Sequence, residues 1–183
     1  PGHKGLLGPQ GTGALLINND IELKQIKEGG TGSLSSSLEQ PNFYPDKLEA
    51  GTHNLPGIAG LNAGVKYILN RGIESIYSHE KNLLDIFIKE LKKNDKVEIY
   101  GPESIEDRIG VVPVNIEGMD SSEVATLLDT KYKIAVRPGL HCAPLAHKAI
   151  GTDKIGAVRF GLGPFNKKSD IMAAVKALNE ISL

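Results

Sequence analysis

The sequence predicts an α/β protein, because strand-like and helix-like patterns alternate along its second half. Short apolar runs bounded by turn residues predict strands over 97–100, 109–116, 134–136 and 157–160. Apolar residues at helical spacing predict helices over 55–70, 73–93, 120–128 and 169–181, with a short helix from Pro144 through Lys148. From Val97 onward this alternation favours a compact sheet covered by helices on one side.

Local signals refine these elements. Asp120 and Glu123 form a capping-box pattern that opens the third helix. Pro113 interrupts the alternation of its strand, which predicts a sheet edge or a bulge. In the first half, the apolar run Ala14–Ile17 predicts a buried strand, and residues 28–54 predict a long loop of the kind that often carries function.

Composition excludes several classes of protein. Of 183 residues, 40% are hydrophobic and 23% are charged, a balance typical of a globular protein. The net charge of -1 gives no overall field that would attract nucleic acid or an acidic membrane. No apolar run is long enough to span a bilayer, and the single cysteine excludes an internal disulfide and fits a reducing, cytoplasmic setting. Because the chain opens inside a glycine-rich turn without an initiator Met, we expect it to be part of a longer protein.

Lys4 lies between Gly2-His3 and the glycine-rich stretch 5–13. A lysine that condenses with an aldehyde needs a partly neutral amine, and neighbouring glycines let a flat cofactor approach the backbone. Taken alone, the pattern is more typical of a solvated lysine beside a loop. It is not a nucleotide P-loop, because no Gly-Lys-Ser/Thr closes it.

The loop Glu49-Ala50-Gly51-Thr52-His53-Asn54 precedes the first helix. Thr52 or Asn54 can cap the free amides of that helix, and a helix N-terminus also suits a phosphate group. An ordinary N-cap is the simpler interpretation of Asn54.

Cys142 follows Arg137-Pro138-Gly139-Leu140-His141 and precedes the short helix. A thiol near a helix N-terminus, a histidine and an arginine is in a setting typical of reactive cysteines. The alternative is a buried structural cysteine, but such a residue usually lies in an apolar run rather than in a polar turn.

Arg159 is a charged residue within an apolar strand and therefore needs a partner. The partner is either a substrate carboxylate, which matches guanidinium geometry, or one of the 22 acidic side chains. His79 and His147 are predicted to be solvated helix residues, and the five histidines form no metal-ligand pattern.

These motifs together resemble the C-terminal portion of class V aminotransferases, the pyridoxal 5'-phosphate (PLP) enzymes that include the cysteine desulfurases. The resemblance implies that Lys4 forms the Schiff base with PLP and that His3 contacts its phosphate side. It also implies that Gly51 and Thr52 reach the cofactor phosphate of a partner subunit in an obligate homodimer. Pro1 stands where many relatives have a Ser or Thr that contacts the phosphate.

The same resemblance makes Cys142 the nucleophile that takes sulfur from PLP-bound cysteine, leaving a persulfide and releasing alanine. It assigns substrate contacts to Arg159, Asn54 and Arg137, and it leaves open a separate protein as the final sulfur acceptor. Within the loop, Pro138 and Leu140 replace a commoner Thr and a frequent His, respectively.

The implied fold is the PLP-dependent transferase type I fold. Residues 1–70 would be the end of the large PLP-binding domain with its connecting helix, and residues 71–183 the small C-terminal domain. Selenocysteine lyase, another class V aminotransferase or epimerase, and a non-catalytic interaction domain remain alternatives. Because the ring-binding residues are expected upstream, we predict that this segment alone binds PLP weakly and is inactive.

Overall fold

The computed structural model describes residues 1–18 and 21–183, which divide into two compact units, Pro1–Ile73 and Glu74–Leu183. The predicted assignment of the first part to a large cofactor-binding domain and of the second to a small domain stays a prediction. Within the described residues, no helix has the length and apolar character needed to cross a membrane.

Among its described residues, the first unit contains one α-helix, α1 (Leu55–Arg71), as the spacing predicted. Residues 28–54 before it are irregular apart from a 3-10 turn at Asp46–Leu48, which agrees with the predicted loop. The C-cap residue after the helix is Gly72, whose φ of 85° is a conformation that favours glycine.

The strand predicted over Ala14–Ile17 is wrong. This segment has no regular secondary structure, and Leu15 and Leu16 are 69% and 91% exposed. A strand is stable only when its backbone groups pair with neighbours, and no described residue pairs with this segment. An apolar run by itself does not supply those partners.

The second unit is built on a three-stranded antiparallel sheet with strand order β1-β2-β3. The strands are β1 (Val97–Ile99), β2 (Val111–Ile116) and β3 (Val158–Gly161). The helices are α2 (Ile73–Leu91), α3 (Ser121–Tyr132), α4 (Pro144–Ala149) and α5 (Lys168–Ile181). All four predicted helices are present, and α3 runs one turn further than predicted.

The core of the second unit lies between one face of the sheet and helices α2, α3 and α5. Val112, Val114 and Ile116 point to this face because side chains alternate along a strand. The rings of Phe87 on α2 and Phe160 on β3 meet edge to face, with centroids 5.2 Å apart. The sheet therefore has helices on its apolar face, as predicted.

Pro113 lies in the central strand, so the predicted edge or bulge is wrong. Its carbonyl accepts a hydrogen bond from the Tyr100 N–H at 3.0 Å, but proline has no N–H to return to the Tyr100 carbonyl. The buried Arg108 guanidinium supplies that bond instead, through Nη1 at 3.0 Å. A side chain thus satisfies the backbone group that the proline leaves without a donor.

The strand predicted over Ile134–Val136 is also absent, although the adjacent Arg137 forms an isolated bridge with Arg159. The Ile134 N–H donates to the Leu128 carbonyl at the end of α3, across Lys133 in the left-handed conformation. Helix termination therefore uses the backbone group that a strand would need.

Candidate active site

The turn that carries Lys4 is closed tightly by backbone hydrogen bonds. The Gly2 N–H donates to the Thr12 carbonyl at 2.7 Å, and the Gly8 N–H donates to the Gly2 carbonyl at 2.7 Å. A Cβ at Gly2 would lie 2.5 Å from Thr12 Oγ1, so a larger residue would displace the Thr12 side chain. Lys4 and the preceding histidine are both exposed, which leaves the amine accessible.

Helix α1 packs directly against the backbone of this turn. A Cβ at Gly64 would lie 2.5 Å from the Leu6 carbonyl oxygen and 2.8 Å from that of Leu7. A larger residue at position 64 would therefore push the turn away from the helix. This contact fixes the position of the lysine segment on the first unit.

The loop before α1 places its polar residues as the sequence predicted for a cap. Asn54 Oδ1 accepts a hydrogen bond from the Gly57 N–H at 3.1 Å, which makes Asn54 the N-cap. Gly51 has a φ of 84°, and Thr52 is exposed beside it. The capping role engages Asn54 Oδ1, and the predicted substrate contact of Asn54 stays a prediction.

Cys142 lies on an exposed turn in the second unit, so the alternative of a buried structural cysteine is excluded. His141 and Cys142 are consecutive left-handed residues, with φ of 55° and 59°. Such residues are uncommon outside glycine and cost free energy that surrounding contacts must offset. The Arg137 Nη2 donates to Cys142 Sγ at 3.2 Å, which places a cation directly beside the thiol.

The base of this turn is fastened to β3. The Arg137 and Arg159 backbones exchange both hydrogen bonds, at 3.2 and 2.8 Å. Further along, the Ala157 N–H donates to the Gly139 carbonyl at 3.1 Å. The fold therefore brings together two motifs that are separated along the chain: the turn from Arg137 to Cys142, and Arg159 on β3.

Arg159 is half-buried, and no acidic side chain among residues 1–18 and 21–183 forms an ion pair with it. The structural ion pair considered from sequence is therefore not observed. Arg159 lies near enough to His141 for its charge to lower the pKa of that imidazole, although burial is the larger cause of the lowering.

The prediction that His147 is solvated is wrong. His147 is 3% exposed, its Nε2 lies 3.0 Å from His141 Nδ1, and its Nδ1 lies 2.7 Å from Thr152 Oγ1. His79 is half-buried, with Nε2 2.9 Å from the Asn166 carbonyl oxygen. Helix α4 has only six residues, too few for periodicity to reveal which side is buried. In the part of the chain that the structure describes, no three His, Cys, Asp or Glu side chains are grouped to hold a metal.

Comparisons with known proteins identify the family of this chain. The model of the class V aminotransferase family matches residues 1–173. A probable cysteine desulfurase of Methanothermobacter thermautotrophicus is 36% identical over 191 residues, covering 100% of this chain and 46% of that protein. A probable cysteine desulfurase of Pyrococcus abyssi is 35% identical over 189 residues, covering 98% of this chain and 45% of that protein.

Solved structures confirm the predicted fold class. The apo structure of the cysteine desulfurase from Thermococcus onnurineus matches 99% of this chain and 45% of its own, with a TM-score of 0.82 and 31% identity. The cysteine desulfurase CsdA of Escherichia coli matches 74% of this chain and 32% of its own, with a TM-score of 0.66 and 30% identity. The chain spans less than half the length of these relatives. It belongs to the class V aminotransferase family and has the fold of the corresponding part of the cysteine desulfurases.

Proposed function

We propose that the protein is a PLP-dependent cysteine desulfurase that converts L-cysteine to L-alanine and keeps the sulfur as a persulfide on Cys142. The observation that carries this proposal is the exposed Cys142 thiol, held 3.2 Å from the Arg137 guanidinium on a strained turn. An aminotransferase or epimerase has no use for a thiol placed in this way. The relatives named cysteine desulfurases support the same activity.

The residues around Lys4 fit PLP. The exposed primary amine of Lys4 can condense with the cofactor aldehyde, and the exposed His3 ring can lie on the phosphate side. The tightly closed glycine turn gives a flat group close access to the backbone. When bound, PLP supplies an electron sink that labilises bonds at the substrate Cα. In this role Lys4 anchors the cofactor and moves the Cα proton.

The two arginines are suited to hold the substrate carboxylate. The Arg159 guanidinium has no acidic partner among the described residues and lies on the strand that anchors the Cys142 turn. A bidentate guanidinium–carboxylate pair would orient the substrate sulfur relative to the thiol. Arg137 would stabilise the thiolate and approach the same carboxylate. For Asn54, the resemblance to the family implies a substrate contact.

The sulfur transfer balances within this set of residues. The Cys142 sulfur attacks the sulfur of the substrate, so that an S–S bond forms and the substrate Cβ–S bond breaks. The electron pair of the broken bond stays with the substrate carbon, which takes up a proton and leaves as alanine. The outer persulfide sulfur is then available, at an exposed position, to an acceptor protein or a small thiol.

The test is to measure alanine and sulfide release from L-cysteine by the intact protein and by its Cys142→Ser variant. Cys142 is the chain's single cysteine, so mass spectrometry can assign the persulfide to it. Borohydride treatment should fix a pyridoxyl group on Lys4 in both forms, which shows that the variant still holds the cofactor. Amino-acid turnover retained by Cys142→Ser would favour an aminotransferase or epimerase instead.

Two other outcomes separate the remaining alternatives. A much higher kcat/KM for L-selenocysteine than for L-cysteine would indicate a selenocysteine lyase. No pyridoxyl group on Lys4, together with no turnover, would indicate a non-catalytic interaction domain.

The single free thiol also supports placement in the reducing cytoplasm.

We further infer a homodimer in which Gly51 and Thr52 contact the cofactor phosphate of the other subunit. Thr52 is exposed, so its hydroxyl is available to a second copy. Mixing the inactive variants Lys4→Ala and Thr52→Ala tests this inference, because a hybrid dimer would then contain one intact site. Recovery of roughly a quarter of the wild-type rate is expected for statistical mixing of subunits across a two-fold axis. Without recovery, the two residues act within one chain.

A further inference from the structure

Three side chains behind the Cys142 turn form a continuous line of hydrogen bonds, here named the histidine relay: His141, His147 and Thr152. His141 Nε2 lies 2.8 Å from the Arg137 carbonyl oxygen. His141 Nδ1 lies 3.0 Å from His147 Nε2, and His147 Nδ1 lies 2.7 Å from Thr152 Oγ1. His147 and Thr152 are 3% and 1% exposed, so the relay runs from a surface turn into the interior.

The chemistry of the partners determines which atom donates and which accepts in each hydrogen bond of the relay. A carbonyl can only accept, so His141 Nε2 carries a hydrogen. Burial, followed by the charge of Arg159, lowers the pKa of His141, which favours the neutral ring. Its Nδ1 is then an acceptor, so His147 Nε2 donates to it. On this neutral His147 ring, Nδ1 is the remaining acceptor, and the Thr152 hydroxyl donates a hydrogen bond to it.

The relay ends at the atom that fastens the Cys142 turn to the sheet. The Arg137 carbonyl accepts the Arg159 N–H at 2.8 Å and His141 Nε2–H at 2.8 Å, so both of its lone pairs are used. The His141 bond therefore closes the turn from residue 137 to residue 141. The two left-handed residues at 141 and 142 need such a constraint, because most non-glycine residues avoid this conformation.

We propose that His147 and Thr152 are positioning residues, which orient His141 and thereby keep the Cys142 thiol beside the Arg137 guanidinium. Neither side chain touches the thiol in the structure, and each acts through the ring in front of it. Without the Thr152 hydroxyl, His147 Nδ1 would be buried without a donor. The His147 ring would then gain by turning or changing tautomer, which would weaken its bond to His141.

The first test uses the intact wild-type protein with 15N-labelled histidine. Long-range 1H–15N spectra identify the tautomer of each imidazole, and assignment by single His substitutions identifies the signals. The relay requires neutral rings with the hydrogen on Nε2 for both His141 and His147. An Nδ1–H tautomer at His147 in the folded protein would overturn the proposal, whatever the variants show.

The second test compares Thr152→Val, which removes the hydroxyl at nearly constant shape, with Thr152→Ser, which keeps it. The matched control is Thr126→Val, which removes an exposed hydroxyl that bonds only the Ser122 carbonyl on α3. The readouts are the rate of Cys142 alkylation by iodoacetamide and the kcat for alanine formation. Thr152→Val should change each by roughly tenfold, the factor that corresponds to about 1.4 kcal/mol for one lost hydrogen bond. Thr152→Ser and Thr126→Val should stay near the wild-type values.

The outcomes separate this proposal from the proposed function, on which only the kcat measurement rests. If the wild-type protein releases no alanine, the desulfurase activity is refuted, while tautomers and alkylation rates still decide the role of the relay. A Thr152→Val variant whose Cys142 is alkylated at the wild-type rate would overturn the positioning role. So would a Thr152→Ser variant as altered as Thr152→Val, because the hydroxyl would then not be the relevant group. If Thr152→Val does not fold, the wild-type tautomers and the Ser variant remain decisive.

Discussion

Gly156 offers a sharp test of how the sheet holds the Cys142 turn. It has a φ of 66°, and a Cβ added to it would lie 2.7 Å from Gly139 Cα and 3.0 Å from the Gly139 carbonyl carbon. Its own N–H and carbonyl are both engaged, with the Thr152 carbonyl at 2.8 Å and Asn115 Nδ2 at 3.0 Å. Gly156→Ala therefore cannot relax by a side-chain rotation, and the backbone of the turn has to move.

Two costs add in this variant. A left-handed alanine costs roughly 1–2 kcal/mol relative to its ordinary conformation. Overlap with well-packed neighbours typically costs a further 1–3 kcal/mol, or about 2–5 kcal/mol in all. Such a loss is a large part of the stability of about 5–15 kcal/mol that a domain typically has.

Two other glycines separate these costs. Gly118 has a φ of 76° with no atom within 4 Å of an added Cβ, so Gly118→Ala tests the conformational cost alone. Gly161 has neither feature, and Gly161→Ala should change stability little. The assay is urea denaturation followed by circular dichroism, together with the rate of alanine formation. A Gly156→Ala variant no less stable than Gly118→Ala would refute the close contact with Gly139. Wild-type turnover in Gly156→Ala would refute its link to the Cys142 turn.

Three further predictions concern single groups. Burial, followed by a hydrogen bond with Glu98, raises the pKa of Tyr100 from 10.0 to about 12. The contribution of Tyr100 to the free energy of unfolding should therefore be fully present below pH 10.0 and fall towards about pH 12. Ultraviolet titration should show a late step that Tyr100→Phe removes. Asn54→Ala should lose about 1 kcal/mol of stability with the N-cap of α1, and Asn54→Ser should keep most of it. Urea denaturation midpoints measure this loss, and equal midpoints for the wild type and Asn54→Ala would contradict the cap. Burial lowers the pKa of His141 from 6.5, so the unfolded chain binds the proton first, and stability should fall as pH drops below 6.5; His141→Asn should flatten this dependence.

Local periodicity explains which elements were predictable. Helices α1, α2 and α5 repeat their apolar residues at helical spacing over fourteen or more residues, and all three lie where the spacing predicted. The short apolar runs 14–17 and 134–136 carry no such redundancy. A strand depends on pairing with residues elsewhere in the chain, and a short apolar run does not show whether they are available.

For the candidate site, the residue types were visible in sequence and their supports were not. The strings around Lys4, Thr52, Cys142 and Arg159 identified the family, because their chemistry is carried by residue type and local order. The buried His147 lies on a six-residue helix, and the Arg108 bond that compensates Pro113 crosses between separate segments. Neither leaves a periodic signal.

The sequence alone determined the family, its long helices and the thiol within an Arg-Pro-Gly-Leu-His-Cys turn, since these follow from local order. Only the tertiary structure decided that Arg159 lacks an acidic partner among the described residues, that Arg137 donates to Cys142, and that His147 and Thr152 lie buried behind them. Burial and hydrogen bonding depend on which segments pack together, and that information is spread over the whole second unit.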